Sequence, residues 1–399
     1  MQEKLKKLAG GAAGAGRRWL RRLRSQTQSL TAQEATFEGR GERAQHMVGV
    51  GPLTHRISVR HAARTRSVIV CSVSGVSQGL CNLLSRRCLC AAARARALKP
   101  GSARWFSALK DRALPVPTDH PQQFLELGAG RSVSFMDAGS GRRGEVLAVH
   151  GCPGSVYDFR YLAGELERAG VRVIRVDMPG NARTRLNAVR GDPADPVELA
   201  ALIREVADSM GLARPLLLAH SVGAQVVQNV VEAAPDDRFL GLALVNPAPL
   251  LVTHRMIRPY WLVRSVCLIS TLVDSVPPLR GNWRKLLKRL QVTWGFTPKM
   301  ELEECAYMMR RLLKVDWWRQ RERAAGLRKR KIPTLVAYTK DDPMIEKELY
   351  HQLSQALPSG PRLVFPDGGH FANKWHSEAI AASLLEFIAL TRMKNEAGA

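Results

Sequence analysis

The fold is decided at Leu216-Leu217-Leu218-Ala219-His220-Ser221-Val222-Gly223-Ala224-Gln225, an apolar run that breaks at a serine and resumes with helical spacing. A strand that turns sharply into a helix at a serine exposes the hydroxyl at the tip of the turn. The residues two before and two after must then be small, because the turn is strained and closely packed. Ala219 and Gly223 meet that demand. The pattern predicts a nucleophile elbow, which acquires chemical meaning only with a base and an acid further along the chain.

Around the elbow, eight short runs read as strands: 124–127, 132–138, 146–150, 171–177, 215–219, 240–246, 334–338 and 362–365. The first two are close enough in sequence to be antiparallel. Between most of the others the spacing turns helical, at 157–169, 196–210, 222–233, 345–356 and 377–390. Strands joined by crossover helices imply an α/β architecture, a mostly parallel eight-stranded sheet with helices on both faces.

The loops after these strands carry the chemistry. The third strand runs into His150-Gly151-Cys152-Pro153-Gly154, where glycine permits an unusual turn and proline fixes the exit, leaving backbone N–H groups free to face a site. That is an oxyanion loop. The fourth ends in the tight turn Asp177-Met178-Pro179-Gly180. The seventh ends in Thr339-Lys340-Asp341-Asp342-Pro343, which offers two carboxylates, and the last in Pro366-Asp367-Gly368-Gly369-His370-Phe371, which hangs a histidine on a Gly-Gly loop. His376, at a helix start, is the rival base.

Taken in order, the H-G-x-P-G loop, D-x-P-G turn, H-S-x-G elbow, D-D-P loop and G-G-H loop resemble the α/β-hydrolase superfamily over roughly residues 121–391. Among its members the chain is most similar to lid-bearing serine hydrolases of no assigned substrate. The resemblance implies a catalytic triad of Ser221, Asp342 and His370, its spacing selecting Asp342 over Asp341. His370 would take the Ser221 proton and Asp342 would orient His370. The amides of Cys152 and Val222 would form the oxyanion hole, with His150, Gly151, His220 and Gly223 as structural support. Departures are Ala219 for the usual glycine, Gln225 where a small residue is common, and Asn181 for a glycine. The implied reaction is hydrolysis of an ester, thioester or amide through an acyl-enzyme. The serine argues against epoxide hydrolases and haloalkane dehalogenases, which use an aspartate nucleophile. Carbon–carbon bond hydrolysis and a catalytically silent binding protein are the alternatives. No metal or organic cofactor is expected, since Asp177 has no accompanying cluster with ligand spacing.

Charge divides the chain further. The formal net charge is +25, yet residues 1–110 hold 21 Lys/Arg against 4 Asp/Glu and residues 254–331 hold 19 against 6, leaving the remainder slightly acidic. Such blocks suit nucleic acid, anionic membrane or organelle import. No zinc-finger spacing, aromatic RNA-binding strand or repeat favours a specific nucleic acid. The reading is a basic arm over 1–115, a core over 116–246 and 332–399, and a helical lid over 247–331 after the sixth strand. In the arm, residues 4–33 contain no acid and place Trp19, Leu20 and Leu23 among arginines, the pattern of a mitochondrial import helix. A disordered basic tail on a cytoplasmic or membrane-peripheral protein fits as well. The seven cysteines, without a paired metal spacing or a secretory signal, are read as reduced thiols.

The insert decides the substrate in this reading, because a lid roofs the pocket. It holds Trp261, Trp283, Trp294, Trp317 and Trp318 among basic runs such as Arg284-Lys285 and Arg328-Lys329-Arg330-Lys331. Basic residues with tryptophan suit an anionic membrane interface or an acyl substrate with a negative head. The alternative is a solvated cap with its tryptophans packed inward. Oligomeric state has no signature.

Overall fold

The computed structural model describes residues 114–249, 260–293, 300–317 and 319–396. The basic arm of 1–115 thus lies outside the described residues except for its last two. The described residues all fall within one unit of the chain.

Eight strands are present: β1 Gln123–Glu126, β2 Ser132–Ala138, β3 Glu145–Val149, β4 Arg172–Val176, β5 Leu216–His220, β6 Gly241–Val245, β7 Thr334–Thr339 and β8 Arg362–Phe365. Each falls within a residue or two of its expected span. They form one sheet in the order β1-β2-β4-β3-β5-β6-β7-β8. β2 pairs antiparallel with β1 and β4, and all other pairings are parallel. The described helices are α1 Arg160–Arg168, α2 Pro196–Ser209, α3 Gly223–Glu232, α4 Tyr260–Asp274, α5 Pro277–Thr293, α6 Leu302–Lys314, α7 Gln320–Lys329, α8 Lys347–Ala356, α9 Ala372–Trp375 and α10 Ser377–Glu396.

Alternation along the inner strands splits the core in two. Leu147 and Val149 share one face with Ile174, Val176, Leu217 and Ala219, covered by Leu199 and Ile203 of α2 and Val226 and Val230 of α3. Val146 and Ala148 share the other with Val173, Leu216 and Leu218, covered by Leu162 and Leu166 of α1 and Leu384 and Ile388 of α10. A strand covered on both faces needs apolar residues at every position, which is why these runs show no polar alternation.

Three local details differ from expectation. The span expected as one helix from 157 opens as a 3₁₀ turn, Val156–Phe159, because the Ser155 hydroxyl accepts from the Tyr157 amide and tightens the first turn. The short α9 follows the G-G-H loop, and α10 runs six residues past the expected 390, no glycine or proline standing in its way.

Between β6 and β7 the described residues of the insert form α4–α7. It has a small core of its own, Cys267, Leu287, Met300, Cys305 and Met309. A reciprocal capping box between Glu301 and Glu304 starts α6. Val315 and Trp317 then pack against Val222 beside the elbow. Of the insert's tryptophans, Trp261 is 66% exposed, Trp283 is half-buried with its ring N–H donating to Ser270, and Trp317 is buried. Trp294 and Trp318 lie outside the described residues.

Candidate active site

Parallel pairing brings the C-terminal ends of β3, β5, β6, β7 and β8 to one edge of the sheet, the usual place for a site in an open α/β fold. At the centre of that edge β5 gives way to α3 through Ser221, whose φ of 53° is the left-handed conformation that a side chain adopts only under constraint. The constraint is visible. Ser221 donates its amide to Val245 O, and its carbonyl accepts from Ala224 and Ala248. A Cβ on Gly223 would stand 2.5 Å from Val149 O, so only glycine fits there. A Cβ on Gly151 would come 2.9 Å from the Cβ of Ser221, so the oxyanion loop and the elbow are in contact.

Ser221, Asp342 and His370 are brought together by three different strand ends. The Ser221 hydroxyl is 2.9 Å from His370 Nε2, and His370 Nδ1 is 2.7 Å from Asp342 Oδ2. Asp342 is fully buried and His370 nearly so. Burial alone would raise the Asp342 pKa, but His370, the Tyr350 hydroxyl and the Met344 amide outweigh it and hold the carboxyl below its ordinary value. Its Oδ1 accepts from the amides of Met344 and Ile345, and its Oδ2 from Tyr350 at 2.5 Å and Asn246 at 3.0 Å. An ionised Asp342 therefore fixes His370 with Nδ1 protonated and Nε2 free to accept from Ser221.

The rival residues are engaged elsewhere. Asp341 accepts from the Gly369 amide, which shapes the His370 loop, and His376 bonds to Asp367. His220 Nε2 donates to the His370 carbonyl at 2.7 Å, tying the elbow to the loop after β8. His150 accepts from the Met178 amide through Nε2 and donates from Nδ1 to the Gly151 carbonyl. Burial pushes both His150 and His220 down to about 3, so both are neutral braces. Asp177 binds the amide of Val156 and the side chain of Gln122. Gln225, a departure from the expected pattern, donates to the Asp316 carbonyl and so joins the helix behind the elbow to the insert. Among the described residues, the amides of Cys152 and Val222 have no acceptor in the protein.

Three contributors escaped the sequence reading. Asn246 sits at the end of β6 with a φ of 40° and donates its side-chain Nδ2 to Asp342, while its side-chain Oδ1 accepts from the Ala372 amide. A polar residue closing an apolar strand was the available signal. Tyr350 lies on the inner face of α8, where nothing but the fold reveals its partner. Asp158 lies at the edge of the site, where a Cβ on Gly154 would meet its carboxylate and His150 together. Burial pushes Asp158 up to about 7, Asp177 adding to the rise and the Ser155 amide, Arg160 and His370 opposing it. A carboxyl whose folded pKa is raised leaves stability untouched below the unfolded value of about 4 and costs stability as pH climbs toward 7. Asp158→Asn is accordingly expected to leave the melting temperature unchanged near pH 4 and to raise it at pH 8, as thermal melts at the two values would show.

A family model described as alpha/beta hydrolase of unknown function (DUF1057) matches residues 124–357. The chain is 23% identical over 312 residues to bifunctional epoxide hydrolase 2 of Mus musculus, the match covering 65% of this chain and 54% of that one. The Rattus norvegicus protein of the same name is 26% identical over 38% of this chain and 27% of its own length. The chain thus spans about half or less of these two relatives. It is 23% identical to 2-hydroxy-6-oxo-6-phenylhexa-2,4-dienoate hydrolase of Burkholderia cepacia, over 64% of this chain and 91% of that one. Among solved structures, an esterase from Exiguobacterium antarcticum superposes with a TM-score of 0.51 at 21% identity, covering 67% of this chain and all of that one. A bromoperoxidase from Bacillus anthracis does so with a TM-score of 0.53 at 16% identity and the same coverage. Both share its fold. The family model spans more than half of the chain, and its sheet order, elbow and loops agree with it: the chain belongs to the alpha/beta hydrolase family.

Proposed function

We propose that this chain is a serine hydrolase acting on an ester, thioester or amide through an acyl-enzyme. The observation that carries the reading is the pair of contacts from one imidazole, Nε2 to the Ser221 hydroxyl at 2.9 Å and Nδ1 to Asp342 at 2.7 Å. Ser221 Oγ attacks the carbonyl carbon as its proton passes to His370 Nε2. The oxyanion lodges against the amides of Cys152 and Val222, which have no acceptor among the described residues. The tetrahedral centre then collapses, the bond to the leaving group breaks, and the leaving group takes the proton from His370. Water attacks the acyl-enzyme, gives its proton to His370 and releases the acid, and the proton returns to Ser221. Opening an epoxide through an alkyl ester needs a carboxylate at the elbow tip, where this chain has a hydroxyl, so similarity to the epoxide hydrolases supports the fold and not that reaction. Rapid mixing with a 4-nitrophenyl ester is expected to give a burst of one nitrophenolate per chain before steady turnover. Hydrolysis with no burst and no trappable acyl group would contradict the covalent route.

We further propose that the insert serves as a lid resting on an anionic lipid surface. Trp261, Ile269, Leu272, Val276 and Leu279 of α4, α5 and their junction are exposed, as are Arg280, Lys285 and Arg289. Exposed apolar side chains among cations suit the interfacial region of a bilayer. Among the described residues no helix is long and apolar enough to cross a membrane. The protein is expected to float with liposomes containing phosphatidylserine and to stay behind with phosphatidylcholine alone, and equal, negligible binding to both would refute the docking.

A further inference from the structure

Helix α6 turns Tyr307 and Arg311, one turn apart, toward the core. Tyr307 donates its hydroxyl to the Pro193 carbonyl and packs its ring over the turn at Gly180. Arg311 has no such outlet. It is 4% exposed, and both terminal nitrogens of its guanidinium are buried with no oxygen or nitrogen acceptor among the described residues. The nearby carboxylates are engaged elsewhere: Glu304 with the amides of Ala182 and Glu301, Asp192 with Arg310 and Lys314, and Glu303 toward Arg284. The guanidinium reaches the Cys152 thiol as a weak hydrogen-bonding neighbour and acts electrostatically on His150. Neither is a counter-ion, since burial keeps the Cys152 thiol protonated and His150 neutral. An ionised group buried without a partner is costly and persists where something it binds supplies the missing charge.

Its position states what that something is. Cys152 follows Gly151, where an added Cβ would meet the Cβ of Ser221, and the Cys152 amide has no acceptor among the described residues. Arg311 thus flanks the oxyanion loop, whereas the leaving group must face His370 to collect its proton. A group bound by Arg311 belongs to the acyl part of the substrate. The planar fork of a single guanidinium matches a carboxylate bidentately. A phosphate dianion would call for a second cation, and the neighbouring Arg310 and Lys314 are already paired with Asp192. We infer that Arg311 anchors a carboxylate on the acyl side of the substrate, so that the preferred substrates are half-esters, thioesters or half-amides of dicarboxylic acids. The kinetic part of this inference rests on Ser221 as nucleophile, while the binding part does not.

The test compares 4-nitrophenyl hemiglutarate with 4-nitrophenyl valerate on the full-length wild type, Arg311→Gln and Arg311→Lys, and follows melting of the Ser221→Ala protein with glutarate. The wild type is expected to prefer the hemiglutarate in kcat/KM by about 100-fold, Arg311→Gln to erase that preference mainly through KM, and Arg311→Lys to keep part of it. Glutarate should raise the melting temperature of Ser221→Ala and not that of Ser221→Ala/Arg311→Gln. Without ligand, Arg311→Gln should melt no lower than wild type, because an uncompensated buried charge has gone; this also shows that the variant folds. A preference untouched by Arg311→Gln, or an equal fall of kcat for both esters with KM fixed, would overturn the anchor, the latter marking Arg311 as an oxyanion donor. Stabilisation by inorganic phosphate in place of glutarate would overturn the carboxylate assignment. If no ester is turned over while glutarate still stabilises through Arg311, the nucleophile reading falls and the anchor stands. If valerate is hydrolysed and glutarate has no effect, the reverse holds.

Discussion

Replacing Ser221 with Ala is expected to lower kcat for a 4-nitrophenyl ester by about 10⁶, and His370→Ala by as much, with the double variant no worse than either single one. The reason is the shared proton. In the proposed mechanism the Ser221 hydroxyl is nucleophilic only while His370 Nε2, 2.9 Å away, takes its proton, and His370 has nothing to activate once that hydroxyl is gone. Residues that act as one unit lose the whole of their joint effect at the first deletion. Steady-state kinetics on the three variants checks this: losses that multiply in the double variant would show that the two side chains contribute separately.

Asp342→Asn is expected to lower kcat by about 10⁴ while leaving Ser221 and His370 in place. The carboxylate accepts from donors on both oxygens: Met344 and Ile345 amides on one, His370, Tyr350 and Asn246 on the other. An amide has a single acceptor oxygen. Either its NH₂ turns toward the two backbone amides, or it turns toward His370 and forces the tautomer that cannot take the serine proton. The first arrangement leaves buried donors unpaired, at a cost of about 1–3 kcal/mol. The pH dependence follows from the lowered pKa of Asp342. A carboxyl depressed in the fold lends stability above its unfolded value of about 4, and that contribution is lost as pH falls through the folded value. The melting temperature of Asp342→Asn should thus lie below wild type at pH 7 and converge on it below pH 4. A constant gap across that range would mean that the ionised carboxylate is not what the fold uses.

Much of this was legible in the amino-acid order because the elbow imposes hard local demands. Gly223 and Ala219 are small because the turn leaves no room, and the apolar runs are continuous because helices cover both faces of the sheet. Strand positions were readable for the same reason, a run of Leu or Val between turn residues having little else to become. What was not legible depends on side chains meeting across long separations. Tyr350 reaches Asp342 from the buried face of a helix, where a tyrosine reads as core filling. Asn246 bonds across to the loops after β7 and β8, and its neighbour Val245 gave no hint of polarity. Arg311 is one of two adjacent arginines in α6, and only the three-dimensional arrangement separates it from Arg310 and Lys314, which have their carboxylate. The strained φ of Ser221, by contrast, was implied by the very run that marked it.

The proposed mechanism requires the Ser221 hydroxyl to be an activated nucleophile. A fluorophosphonate probe added to the full-length protein, with intact-mass and peptide mapping, tests it most directly. One adduct per chain is expected, on Ser221, formed by wild type and absent from a folded Ser221→Ala protein. Folded wild type that takes up no probe, or carries it on another residue, would contradict it.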